Sequence, residues 1–115
     1  MPGIENLDPI VSLADQMKDE EGPIILINHF TVDAADEEEL LKAWAHDADF
    51  MKVQPGYTST QLHKGIGGSS SFMNYAIWQD VRSFRGAFTH PEFQSRIAKY
   101  PASAVARPTS SGNLQ

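Results

Sequence analysis

Residues 24–32 read IILINHFTV. Aliphatic residues lead into Asn28, and the chain turns apolar again at Phe30 and Val32. The stretch reads as a buried strand with a carboxamide in its middle. An amide taken out of water without a partner costs roughly 1–3 kcal/mol. A protein group or a ligand must therefore satisfy Asn28.

Working outward from this strand gives an order of elements. Asp33 is placed to cap a helix whose first turn carries Asp36 to Glu39 near the positive end of the helix dipole. The helix pattern runs on until QPG at 54–56 stops it. A second strand, YTSTQLHKGI, reaches the GIGGSSS turn and returns as FMNYAIW, a hairpin. Asp80 caps a short helix, VRSFRGAF, and Thr89 with Glu92 forms a capping box for a further helical stretch from Pro91. Strand, helix, strand, strand, helix is five-sixths of a βαββαβ ferredoxin-like α+β fold. ARPTSSGNLQ, rich in small polar residues and holding a proline, reads as a tail and supplies no sixth element. The expected division is an extension over 1–22, one domain over 23–107 and a polar tail over 108–115.

Composition narrows the function. The 115 residues carry no cysteine, which removes thiolate nucleophiles, CxxC redox chemistry and sulfur-ligated metals. Fifteen acidic residues against nine basic ones leave a net charge of −6 and no basic block for a phosphate backbone, so nucleic acid is not expected as a partner. No secretory signal is read at the N-terminus, and no apolar run nears the ~20 residues a membrane helix needs. A soluble, cytoplasmic domain is expected.

Strand periodicity sorts the side chains. Asn28 shares a face with Leu26, Phe30 and Val32, whereas His29 and Thr31 point the other way. Asn74 shares a face with Phe72, Ala76 and Trp78, whereas Met73, Tyr75 and Ile77 take the opposite side. Asn28 lies five residues before Asp33, and Asn74 six before Asp80. The pseudo-symmetry of a βαββαβ fold thus puts both amides at similar depth in adjacent central strands. Two readings follow: the amides bond each other in a closed core, or they converge on an apolar small-molecule pocket. Val81, Phe84 and Phe88 form the stripe of the short helix, with Arg85 on it. Arg85 either lays its stem over the rim with its head in water or reaches an anionic ligand. In the long helix Leu40, Trp44, Ala48 and Met51 form the buried stripe, and Asp47 projects near its centre. Such a carboxylate usually bends to solvent or pairs locally; one that faces the sheet is raised by desolvation toward the range of a base. The expected substrate-binding walls are Phe30, Phe72, Trp44, Asp47 and Phe88. KGIGGSSS lacks the ending of a phosphate loop. His29, His46, His63 and His90 show no metal-ligand spacing.

LINHFTV, QPGY, NYAIWQDVRSFRGAF, HPEF and YP, in this order over residues 24–107, resemble the antibiotic biosynthesis monooxygenase family of dimeric α/β-barrel proteins. The resemblance implies a ferredoxin-like protomer, a homodimer built through the sheet and a ligand pocket between sheet and helices. It is strongest to the anthrone oxygenases of aromatic polyketide pathways, which oxidise a polycyclic phenol with O₂ to a quinone without flavin, haem or metal. On that resemblance the catalytic residues are Asn28, Asn74, Trp78 and Arg85, the partners are a small aromatic substrate and O₂, and no cofactor is needed. Asp47 matches no fixed carboxylate of the family. The haem-degrading members differ, because their tryptophan and histidine positions fall on Ala87 and Ile97. Two alternatives stay open: a cyclase or isomerase on the same fold, and a non-catalytic ligand-binding dimer.

Overall fold

The computed structural model describes residues 2–18 and 22–112. Asp19, Glu20 and Glu21 of the charged KDEEGP run, and residues 113–115 of the expected tail, lie outside the described residues. Five strands form one sheet: β1 (Gly3–Ile4), β2 (Ile24–Thr31), β3 (Tyr57–Lys64), β4 (Ser71–Trp78) and β5 (Val105–Gly112), in the order β1-β5-β2-β4-β3. The helices are α1 (Leu13–Gln16), α2 (Glu37–Met51), α3 (Val81–Phe88) and α4 (Pro91–Ile97). From β2 onward the antiparallel βαββαβ order of the ferredoxin-like fold is complete.

The sixth element corrects the reading of the C-terminal region as a tail: residues 105–112 are a strand, and it pairs with β2 along its whole length. Two features hold this small, polar segment in the sheet. β1 adds parallel to it at Val105 and Ala106, and Gln16 of α1 accepts from the Ser110 amide at 2.9 Å while its Nε2 donates to Thr109 Oγ1 at 3.1 Å. The proline is accommodated by strand geometry. The carbonyl of Ala106 accepts from the Glu5 amide just past β1 and the amide of Ser110 meets Gln16, so residue 108 between them turns its backbone nitrogen away from β2. Pro108 therefore removes no bond from the β2–β5 ladder.

Local signals mostly hold. Asp80 caps α3 by accepting from the Ser83 amide at 2.7 Å. The expected capping box is corrected: His90 caps α4, its Nδ1 accepting from the Glu92 amide, while the Thr89 hydroxyl donates back to the Arg85 carbonyl. Asp33 precedes a 3₁₀ turn (Ala34–Asp36) and makes no side-chain cap bond. α2 begins after that turn.

One face of the sheet is buried and the other is not. Ile24, Leu26, Phe30, Phe72, Ala76 and Trp78 are buried beneath the helices, whereas His29, Met73, Tyr75 and Ile77 on the opposite face are only half-buried. The core falls into two clusters, one around Trp78 and Phe84 and one around Leu40, Phe30 and Tyr100. Among the described residues no helix is long and apolar enough to cross a membrane.

Candidate active site

The register of the central strands decides the fate of the amides. Asn28 of β2 stands directly opposite Asn74 of β4. No hydrogen bond joins them. Asn74 Oδ1 instead accepts from the Thr60 hydroxyl of β3 at 2.6 Å. That bond fixes the amide plane and leaves the Asn74 NH₂ to serve another acceptor. Asn28 Oδ1 is buried and has no hydrogen-bond partner among the described residues. The mutual amide pair in a closed core is therefore not what the chain forms.

Both amides line a cavity of about 60 Å³ between the sheet and α2, α3 and α4. Its walls also include Trp78, Trp44, Phe84, Phe88, Tyr57 and Asp47. A second space of about 50 Å³ adjoins it through the shared walls Asn28, Phe30, Asp47, Phe88 and Tyr100, and is also lined by Pro2 and Ile4 of the N-terminal segment. Ligand pockets commonly measure roughly 300–1,000 Å³. A ligand of that size needs wall side chains to move aside, and Trp44, Met51, Tyr57 and Phe88 are half-buried walls.

Aromatic contacts brace the rest. Trp78, 1% exposed, meets Tyr57 and Phe84 edge-on with ring centroids 5.7 Å away in each case. Phe30 and Tyr100 stack at 5.5 Å.

Asp47 does face inward, 92% of its surface covered, since only 8% is exposed. Tyr100 donates its hydroxyl to Asp47 Oδ2 at 2.7 Å, and Oδ1 is buried with no hydrogen-bond partner among the described residues. Burial pushes the Asp47 carboxyl up to about 6, against the opposing pull of the Tyr100 bond and the Arg96 charge. The Tyr100 phenol is pushed up in turn, by its own burial first and then by the Asp47 charge.

Seven of the nine residues singled out in the sequence meet at this cavity: Asn28, Asn74, Trp78, Phe30, Trp44, Asp47 and Phe88. Two do not line it. Arg85 donates from Nη1 to the Met17 carbonyl at 2.6 Å, tying α3 to the segment after α1. Phe72 is buried in the neighbouring core cluster, with the Lys64 ammonium over its ring at 5.9 Å. Two contributors escaped the sequence reading. Tyr100 follows Phe93 and Ile97 at helical spacing, a stripe that marks it as inward-facing. Thr60 carried no such signal, because Leu62 is the β3 residue opposite Asn74 and Thr60, opposite Ala76, reaches the amide diagonally. Among the described residues no three His, Asp or Glu side chains gather as a metal site.

Known proteins agree with this architecture. The chain is 31% identical over 70 residues to deoxynogalonate monooxygenase of Streptomyces nogalater, a match covering 61% of this chain and 58% of that protein. Its fold superposes on SnoaB, a cofactor-independent oxygenase from Streptomyces nogalater, with a TM-score of 0.76 and 25% identity over 83% of this chain and 96% of the other. A candidate monooxygenase from Shewanella loihica PV-4 is similar at a TM-score of 0.70 and 30% identity over 84% and 98% of the respective chains. The family model for antibiotic biosynthesis monooxygenases matches residues 23–99, about two thirds of the sequence, and the chain belongs to that family.

Proposed function

We propose that this chain is a cofactor-independent monooxygenase that oxidises an anthrone-like polycyclic phenol to a quinone with O₂. The observation that carries the reading is the pair of amides facing each other across β2 and β4, unbonded to one another, in a cavity walled by aromatic rings. The likeness to an oxygenase that works without a cofactor supports it.

Triplet O₂ reacts slowly with a singlet organic molecule, so the substrate must supply an electron. An ionised substrate does so far more readily. The amide hydrogens of Asn28 and Asn74 donate to its oxyanion in a water-poor cavity, where fixed dipoles count most. Trp78 lies against the ring system. Overall a ring CH₂ becomes C=O: one oxygen atom enters the product and the other leaves as water. The working unit is a homodimer joined through the open sheet face, as the half-buried Met73, Tyr75 and Ile77 favour.

Oxygen uptake with an anthrone, measured beside thermal melts, tests the reading. Asn28→Ala and Asn74→Ala each lower turnover by roughly 10–1000-fold, the loss of one preorganised donor, with melts close to wild type. Destabilisation of both single variants that the double variant relieves would point to a structural amide pair and against the active site.

A further inference from the structure

A protein that places two amides to hold an oxyanion still needs something to make it. The long helix α2 exposes Glu38, Glu39, Lys42 and Asp49, yet it turns one carboxylate inward at Asp47. That carboxylate is not left to find its own geometry. Tyr100 holds Oδ2, and Oδ1 has no hydrogen-bond donor among the described residues. Asp47 and Asn28 both belong to the walls shared by the two adjoining spaces. A proton acceptor and an oxyanion donor thus border the same volume.

We propose that Asp47 is the catalytic base of this site, taking the acidic ring-carbon proton of the substrate on Oδ1, with Tyr100 as its positioning residue. The assignment rests on the oxygenase reading for its substrate class. The C–H electron pair passes into the ring carbonyl, giving an enolate whose oxygen faces the amides, while the proton stays on Oδ1. One electron then moves from enolate to O₂, and the radicals couple into a C–O bond. The peroxide anion takes the proton back from Asp47. Asp47, ionised again, removes the second hydrogen of that carbon. Its electron pair closes C=O as the O–O bond breaks, and the departing hydroxide leaves with that proton as water.

The charge around Asp47 suits a group that cycles its proton near neutrality. Arg96 of α4 acts on it from one side and Tyr100 from the segment that follows. Tyr57 of β3 is the other titratable wall of the cavity, and β2, β4 and β5 present no charged side chain to it. Desolvation and the Tyr100 bond leave the carboxyl at about 6.

Deuterium exchange into the CH₂ of anthrone, followed by NMR in anaerobic D₂O buffer, reads the first step without O₂. Wild type exchanges faster than buffer, with the rate falling below a limb near pH 6. Asp47→Asn, which preserves shape and can still accept from Tyr100, loses exchange by roughly 10²–10⁴-fold. Tyr100→Phe keeps the carboxylate but removes the bond that favours its ionised form, so its limb moves to higher pH; a purely structural role would not move the limb. Exchange by wild type without any O₂ uptake would overturn the oxygenase reading and leave the base standing. Unchanged exchange in Asp47→Asn, an unmoved limb in Tyr100→Phe, or no exchange by wild type overturns the base.

Discussion

Because burial raises Asp47 from 3.8 to about 6, the native chain holds a proton that the unfolded chain releases between those values. Stability therefore falls as pH rises through this window, and the full cost applies above it. About two units correspond to at most roughly 3 kcal/mol. Asp47→Asn carries no such cost. It is expected to be more stable than wild type at pH 7.5, with the difference shrinking toward pH 4, as paired denaturant melts would record. An equal gap at both pH values would contradict the burial argument. The same residue shows what a sequence discloses at this scale. Helical spacing placed Asp47 near the buried stripe, and strand periodicity with the spacing to Asp33 and Asp80 placed both amides. Which partner each side chain finds is another matter. The Thr60 bond to Asn74 and the Tyr100 bond to Asp47 depend on register and on packing between distant segments, which no local pattern encodes.

Elements were legible where their own residues stabilise them. α3 announces itself by the Asp80 cap and its apolar stripe, and the β3–β4 hairpin by its alternation and glycine-rich turn. β5 is held by neighbours instead, which is why Pro108 and the serines read as a tail. Arg85 illustrates the same limit: its stripe position was visible, its attachment to the Met17 carbonyl was not. The join between α2 and β3 is more local and more demanding. Gly56 has φ +82, and a Cβ there would lie 2.2 Å from Ser83 Oγ at the start of α3. Gly56→Ala combines backbone strain with overlap and should lose roughly 2–4 kcal/mol. A melting point lower by about 10–20 °C is the expected reading. Ser83→Gly in the same chain should return part of it by removing the obstructing atoms; no recovery would leave the backbone angle as the whole cause.

At the scale of the molecule, the helices cover one sheet face and leave the other half-buried, and the proposed homodimer pairs through it. Apolar sheet faces make stable interfaces when two are pressed together. Tyr75 lies in a central strand of that face, so Tyr75→Glu would place a charge in the middle of the joint and leave it without a partner. Sedimentation should find wild type dimeric at micromolar concentration and Tyr75→Glu monomeric, with the far-ultraviolet spectrum unchanged. A monomeric wild type would exclude the barrel.

Pro108 has a further effect at the edge of the sheet. Beyond the two residues that β1 covers, the outer rim of β5 would offer a row of backbone donors and acceptors to any passing extended chain. Pro108 deletes a donor from that row, and Gln16 occupies the next one at Ser110. Both interruptions disfavour strand-by-strand growth into a cross-β ribbon along this rim. The proline that made this segment read as a tail thus also guards its edge against an unending fibre.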